Sequence, residues 1–322
     1  MPVTVNIPKE KWTGCVREVS LGATSAEGGS RQKKVVVGGE ATLPFLHFEG
    51  QIPHRPAIAV EVQDRYPDDW SPLLLEAWGE AARNPAAWAQ KAESLGADLV
   101  ALSLKSASPD GGNTGAAEAQ TTVRAVLKAT GLPLIVYGPG QAEKDNEVLV
   151  AAAEAAKGER IALGNCEDKN YRTIVAAALA HDQLVIARSP IDVNLAKQLN
   201  ILISDMRLDP DRILMDPTTG ALGYGLEYTY SVMERLRLAA LAGDGMTQQP
   251  LICTVGEEAW RTKESKINAG VPQAWGDWKQ RAVLWEVLTA TTLLEAGADI
   301  VVLRHPESIL LVARTIGRLM AA

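Results

Sequence analysis

From residue 57 onward the chain repeats one unit: a short apolar run, a loop, a helical stretch and a breaker. The apolar runs fall at 57–62, 98–104, 133–137, 160–163, 183–187, 212–215, 250–254 and 299–303. They are nearly continuous rather than alternating in polarity, the pattern of parallel strands covered on both faces. Between them, Ala-, Leu- and Glu-rich segments with helical periodicity occupy 114–130, 143–157, 168–180, 190–206, 227–241, 277–296 and 306–320. Gly or Asp punctuates the return to each strand (Gly96, Gly131, Gly158, Asp209, Gly243, Gly297), where glycine makes left-handed backbone cheap. Ser189-Pro190-Ile191-Asp192 predicts a helix start with Ser at the N-cap, Pro at N1 and an acid at N3. His305-Pro306-Glu307 puts a capping residue, a Pro and an acid at the opening of the last helix.

Eight such units in about 265 residues match a (β/α)8 TIM barrel, whose usual length is ~250 residues. The stretches 95–102 and 296–303 echo each other (Leu-Gly-Ala-Asp-Leu-Val-Ala-Leu and Ala-Gly-Ala-Asp-Ile-Val-Val-Leu), as a repeated helix-to-strand junction requires. A doubly wound sheet normally has fewer strands and is a distant second. Residues 1–56 lie outside the pattern. Short strands are expected there at 3–7, 34–37 and 44–48, separated by Gly-rich turns. The expected organisation is therefore an N-terminal β extension over 1–56 and an α/β barrel over 57–322, the extension packing on the barrel, across its bottom, or on a partner.

Composition narrows the function. Lys and Arg number 32 against 39 Asp and Glu, a net charge of −7, so no cationic excess exists to displace counterions from nucleic-acid phosphates. The opening residues lack an apolar signal-peptide core, and apolar runs such as 174–180 are too short to span a bilayer. A soluble, cytoplasmic protein without nucleic-acid or membrane partners is expected. Cys15, Cys166 and Cys253 are widely spaced and one ligand short of the usual iron–sulfur set, so they read as buried thiols. The four histidines show no metal-ligand spacing.

In such a barrel, function gathers where strands end and the following loops begin. That ring comprises Gln63-Asp64, Lys105-Ser106, Tyr137-Gly138-Pro139, Gly164-Asn165-Cys166, Arg188-Ser189, Asp216 to Gly220, Thr254 to Glu257 and Arg304-His305. Small and polar residues dominate it. Residues 216–225 are the most unusual stretch: their small turn-formers either let backbone approach a flat, bulky ligand or simply make a tight, self-packed loop. Asp64, Asn165 and Asp216 could hydrogen-bond the donor edge of a pterin. Lys105 could form a Schiff base if desolvated, although a solvated lysine is far commoner. His305 reads as a helix cap before it reads as an acid or base. No glycine-rich phosphate loop follows a strand. A long loop over 256–276 carries Trp260 and Trp275, and Trp278 and Trp285 stand a heptad apart on the next helix, in the core or at an interface.

Four stretches carry a family resemblance. They are Gly39-Glu-Ala-Thr-Leu-Pro-Phe-Leu-His-Phe-Glu-Gly50 with Ile58-Ala-Val-Glu-Val-Gln-Asp64, Met215-Asp-Pro-Thr-Thr-Gly-Ala-Leu-Gly-Tyr-Gly-Leu-Glu-Tyr228, Gly276-Asp-Trp-Lys-Gln-Arg-Ala-Val-Leu-Trp-Glu286, and Gly297-Ala-Asp-Ile-Val-Val-Leu-Arg-His-Pro306. The sequence resembles the small subunit of the corrinoid/iron–sulfur protein of the anaerobic acetyl-CoA (Wood–Ljungdahl) pathway and the archaeal delta subunit of acetyl-CoA decarbonylase/synthase. The likeness runs through nearly the whole chain, extension included. It implies a (β/α)8 subunit of a heterodimer whose large subunit holds the [4Fe–4S] cluster and a cobamide domain. The cobamide would lie at the interface, over the top of this barrel. Its Co(I) would accept the methyl group of methyltetrahydrofolate from a separate methyltransferase and deliver it to acetyl-CoA synthase/CO dehydrogenase. The chain would be a non-autonomous part of a methyl carrier, capping and shielding the cofactor without catalytic residues or metal ligands of its own. The residues then facing the cobamide would be Lys105, Tyr137, Gly138, Asn165, Arg188, Asp216, Thr218, Thr219, Gly220, Thr254 and Arg304. The rivals are a self-sufficient pterin-dependent methyltransferase or dihydropteroate-synthase-like enzyme, a Lys105 aldolase, and a purely structural partner.

Overall fold

A computed structural model describes residues 7–321. Two short strands, β1 (Val19–Leu21) and β2 (Val35–Val37), pair antiparallel. Eight strands then form a closed parallel barrel: β3 (Ala57–Gln63), β4 (Leu99–Ser103), β5 (Leu134–Tyr137), β6 (Ala162–Cys166), β7 (Leu184–Arg188), β8 (Ile213–Asp216), β9 (Leu251–Cys253) and β10 (Ala298–Leu303). Their neighbours follow chain order, and β10 closes the ring on β3 with Ile300 opposite Ala57 and Leu303 opposite Val60. The TIM-barrel reading of the sequence is correct.

The helices between strands are α1 (Pro72–Trp78), α2 (Pro85–Ser94), α3 (Ala116–Ala129), α4 (Ala142–Ala155), α5 (Tyr171–His181), α6 (Val193–Asp205), α7 (Leu226–Leu241), α8 (Val255–Ala259), α9 (Lys263–Lys266), α10 (Trp278–Glu295) and α11 (Pro306–Met320). Each strand is buried on both faces, which is why its sequence is almost unbroken in apolar character. One parity faces the helices, with Ile58, Val60 and Val62 of β3 in the larger core. The other parity faces the barrel axis, with Ala59, Ala101, Ile135, Ala162, Ile186, Leu214, Ile252 and Ile300 in a second core.

The inward alanines of β3 and β6 leave room at the strand starts. Val19 and Leu21 of β1 and Val37 of β2 fill it, in the same core cluster as Ala57, Leu99 and Leu184. The hairpin is fixed there by Arg31, whose side chain donates to the Leu127, Thr130 and Leu132 carbonyls and pairs with Glu159 at 2.7 Å. These carbonyls end α3 and enter β5, so the hairpin sits under the barrel, opposite the strand ends that carry polar residues.

Several local expectations change. Residues 44–48 are not a strand but a series of turns, with Leu46 N–H donating to Leu43 and Glu49 N–H to Leu46. Phe45 has a φ of 60° there, which no strand tolerates. The strand expected at 3–7 lies outside the described residues except for Ile7, which is not in a strand. The α6 cap is Asp192 rather than Ser189: its Oδ1 accepts from Asn194 N–H at 2.7 Å and Leu195 N–H at 3.0 Å. The segment 256–276 is mostly structured, containing α8 and α9. Cys166 and Cys253 are buried thiols, but Cys15 is exposed.

Replacing Arg31 with Ala should destabilise the fold by about 3–5 kcal/mol, because it strands three carbonyls and the Glu159 carboxylate beneath the barrel. Urea unfolding measures this, and a loss under about 1 kcal/mol would show that the hairpin is held chiefly by its apolar contacts.

Candidate functional site

Along each inward-facing row, the side chains change character near the top. β3 runs Ala57, Ala59, Glu61, Gln63; β4 runs Leu99, Ala101, Ser103; β5 ends at Tyr137, β7 at Arg188 and β8 at Asp216. This layer forms a polar mouth. Lys105, Tyr137, Gly138, Asn165, Arg188 and Thr254 all line one cavity of about 90 Å³ there, together with Glu61, Ser103 and Glu257.

One side of the mouth is a bonded network, although His305 Nε2 and Trp260 Nε1 have no hydrogen-bond partner among the described residues. Arg304, just past β10, makes a bidentate pair with Glu61, Nε to Oε2 at 2.6 Å and the second contact at 3.0 Å. Its guanidinium stacks over Trp70 at 4.6 Å. Burial opposes its charge, yet Glu61, Glu257 and Glu286 more than restore it. Glu286 of α10 accepts from the Arg304 and His305 backbone N–H groups at 2.5 and 3.2 Å. His305 caps α11, its Nδ1 accepting from Glu307 N–H at 3.1 Å, and it stacks on Trp260. Burial pushes its imidazole down to about 4, so it is neutral.

The other side is looser. Arg188 Nε is 3.9 Å from Asp216 Oδ2, beyond a hydrogen bond. Asp216 Oδ1 accepts from Thr218 N–H at 2.8 Å, while Oδ2 has no partner among the described residues. Burial pushes the Asp216 carboxyl up to about 6, against the pull of Arg188. Burial also raises the Tyr137 phenol, and the Asp216 charge adds to that. The Tyr137 ring lies flat along β6: a Cβ on Gly164 would stand 2.7 Å from its Cε1, so only glycine fits.

Not every expected residue faces the mouth. The 216–225 loop is packed on itself: Gly220 N–H donates to Thr229 Oγ1 at 2.8 Å, and a Cβ there would meet the Gly225 carbonyl at 2.5 Å. Thr219 accepts from Thr254 N–H, and Trp285 Nε1 donates to the Leu222 carbonyl. Thr219 and Gly220 thus hold the loop together, and Thr218 turns towards the Ser189 carbonyl. Arg304 bounds a separate cleft of about 400 Å³ beside the mouth, with Lys105, Trp70 and Arg261. A further cleft of about 570 Å³ opens between Lys169, Arg188, Pro190 and α6. The Asp64, Asn165 and Asp216 trio is not assembled. Asp64 is taken by Ser106, accepting from its N–H at 2.8 Å and from its hydroxyl, and is not part of the mouth lining. Glu61 lies outside the strand-end ring read from the sequence, and Glu257, named in that ring, was not among the residues expected to face the cobamide. Glu61 had a legible signal: an acid two residues after an inward alanine, inside an otherwise apolar strand.

The closed parallel barrel is a fold shared with solved dihydropteroate synthases. The dihydropteroate synthase of Xanthomonas albilineans in complex with 7,8-dihydropteroate superposes with a TM-score of 0.56, covering 87% of this chain and 100% of that one at 16% identity. The Thermus thermophilus enzyme gives 0.54, covering 87% and 99% at 14% identity. At such identity the likeness concerns the fold alone.

Sequence comparison goes further. Residues 18–315 match the family model described as CO dehydrogenase/acetyl-CoA synthase delta subunit. The acetyl-CoA decarbonylase/synthase complex subunit delta of Archaeoglobus fulgidus is 41% identical over 313 residues, 94% of this chain and 68% of that protein. Delta subunit 1 of Methanosarcina thermophila is 40% identical over 93% of this chain and 69% of its own length, and the Methanopyrus kandleri subunit is 40% identical over 92% and 73%. The chain belongs to the CO dehydrogenase/acetyl-CoA synthase delta subunit family.

Because folding lifts the Asp216 carboxyl from 3.8 to about 6, the folded state holds its proton more tightly than the unfolded chain. The resulting stabilisation is fully present below the unfolded value and lost as pH rises through about 6. Asp216→Asn should therefore gain about 3 kcal/mol on the wild type between about pH 4 and pH 8, measured by urea unfolding at each pH. A pH-independent difference would exclude the raised value.

Proposed function

We propose that the chain is the barrel subunit of a corrinoid methyl carrier within an acetyl-CoA decarbonylase/synthase assembly, capping a cobamide held mainly by a larger partner. The observation that carries this reading is the family match, which spans residues 18–315 and so includes both the hairpin and every strand of the barrel.

The residues of the mouth fit such a group. The 90 Å³ cavity is far too small to enclose a macrocycle, so a corrinoid would lie across the face rather than inside it. The flanking clefts extend a mixed polar and apolar surface over the whole top. Lys105 and Arg188 offer donors and Glu257 an acceptor at the mouth, a set that suits a ligand whose rim carries both acceptors and donors. When bound, the cobamide supplies the metal centre that carries the methyl group. The chain's own part is to keep water and oxidants from one face: the lower barrel is filled with side chains, so nothing reaches the mouth from beneath. Arg188, Lys105 and Thr254 orient the rim, and exposure to partners follows from movement of the partner's domain away from this rigid surface. Further partners on this reading are the large subunit with its [4Fe–4S] cluster, a methyltetrahydrofolate methyltransferase and acetyl-CoA synthase/CO dehydrogenase, all in the cytoplasm.

A pterin enzyme is the weaker reading, because Asp64 is engaged by Ser106. An aldolase is weaker still, since Lys105 sits in the mouth beside Glu61 and Glu257 rather than in the apolar pocket that a Schiff-base lysine needs.

Affinity purification of the chain from its native host should bring down a second, Cys-rich, coloured chain at equal stoichiometry. The refolded chain alone should bind cobalamin at least about tenfold more weakly than that pair. Saturable methyltetrahydrofolate binding by the lone chain, or tight one-to-one cobalamin binding by it, would overturn the proposal.

A further inference from the structure

At the pole away from the mouth, three charged side chains share one buried site. Arg237 of α7, Glu40 of the N-terminal extension and Asp299 of β10 have side chains only 4%, 11% and 3% exposed. One cation cannot balance two acids, and burial makes an uncompensated charge costly. The bonds show which acid is compensated. Asp299 Oδ2 accepts from Arg237 Nη2 at 2.9 Å and from the Leu251 N–H at 2.7 Å. The same Nη2 donates to the Gly297 carbonyl at 2.5 Å, and a Cβ on Gly297 would stand 2.9 Å from Arg237 Nε, so the guanidinium is seated on the β10 side. Glu40 Oε2 is 3.5 Å from Nη1, the weaker of the two pairings.

Glu40 is thus an acid beside a carboxylate whose cation is already taken. Burial and the Asp299 charge push its carboxyl up to about 8, against the pull of Arg237. Of the described residues lining the small cavity beside it, Arg237 and Asp299 are the other charged ones, and Phe45, Ile52 and Leu294 make it apolar. Glu18, 3.3 Å from His54, packs on the neighbouring Gly39. A carboxylic acid fits where a second carboxylate does not, because its hydroxyl can donate to Asp299. Backbone bonds at this point stay within the extension: the Glu40 carbonyl accepts from Val16 N–H at 2.9 Å, and Ala41 N–H donates to the Gln51 carbonyl at 3.0 Å. The Glu40 side chain is therefore what ties this turn to the barrel.

We propose that the extension is latched to the barrel floor by a proton: Glu40 is a neutral acid that donates to the Asp299 carboxylate, and loss of that proton loosens residues 38–52 while the barrel stays folded. The device is independent of the function proposed above. Because Glu40 ionises at 4.5 when released and at about 8 when docked, the latch is at full strength below the lower value and weakens as pH rises through the upper one.

The test is hydrogen exchange of the full chain, read by mass spectrometry from about pH 6.5 to about pH 9 and corrected for the intrinsic rate at each pH. This window lies above the Asp216 transition at about 6. Peptides carrying the Val16 and Ala41 amides should lose about tenfold or more of their protection across it, while peptides from the barrel strands keep theirs. Glu40→Gln retains a donor towards Asp299 and should abolish the pH dependence. Asp299→Asn removes the like charge and should move the transition to lower pH, so the proposal stays open to refutation if the first variant does not fold. Unchanged extension protection in the wild type, equal loss in extension and barrel, the same pH dependence in Glu40→Gln, or an unmoved transition in Asp299→Asn would each overturn the latch.

Discussion

Closure of the sheet governs everything else in this molecule. Strands covered on both faces have no water to satisfy an open edge, and the pairing of β10 with β3 removes the edge altogether. Closure then forces alternate side chains onto the axis, where there is room only for what packs. At the bottom two strands contribute alanine, and the β1–β2 hairpin pushes Val19, Leu21 and Val37 into the space. The floor is sealed by apolar contact and by the buried Arg31. Chemistry is left to the opposite end, where the same inward rows finish in Glu61, Ser103, Tyr137, Arg188 and Asp216.

Charges so close to the axis have to be paired or hydrogen-bonded to be tolerated. On the β3–β10 side that requirement is met in full. Glu61 grips Arg304 with two bonds, Trp70 lies under the guanidinium, and Glu286 takes up the backbone donors that follow. On the β5–β8 side it is met only in part, with Asp216 and Arg188 close enough to influence each other but not bonded. A bonded ion pair and a looser one share one rim.

Much of the framework was legible because it depends on near neighbours in the chain. All eight barrel strands overlap the apolar runs, and the His305 cap, the Gly297 break and the main helices follow local rules. The misses involve contacts between distant segments. Val19–Leu21 is too short to show a pattern and becomes a strand only against Val35–Val37. Residues 44–48 look like a strand in composition, but Phe45 adopts a left-handed conformation as the chain turns back under the barrel. Ser189 was an adequate cap on paper, yet its N–H is taken by the Asp216 carbonyl and the helix begins three residues later at Asp192. The glycines of 216–225 left an open cradle and a self-packed loop equally open, and the loop packs on α7 and α10.

The sequence by itself determined the barrel, the order of its strands and the set of polar residues at their ends, because strand and helix periodicities are local and a strand's end always lies at the same pole. Only the tertiary structure decided which of those polar residues meet. Glu61 and Arg304 are 243 residues apart in sequence and bonded in space, while Asp64, equally well placed in the chain, is spent on Ser106. Pairing at the mouth depends on strand register, on the inward parity of each row and on which partner reaches first, and these are settled only when the ring closes.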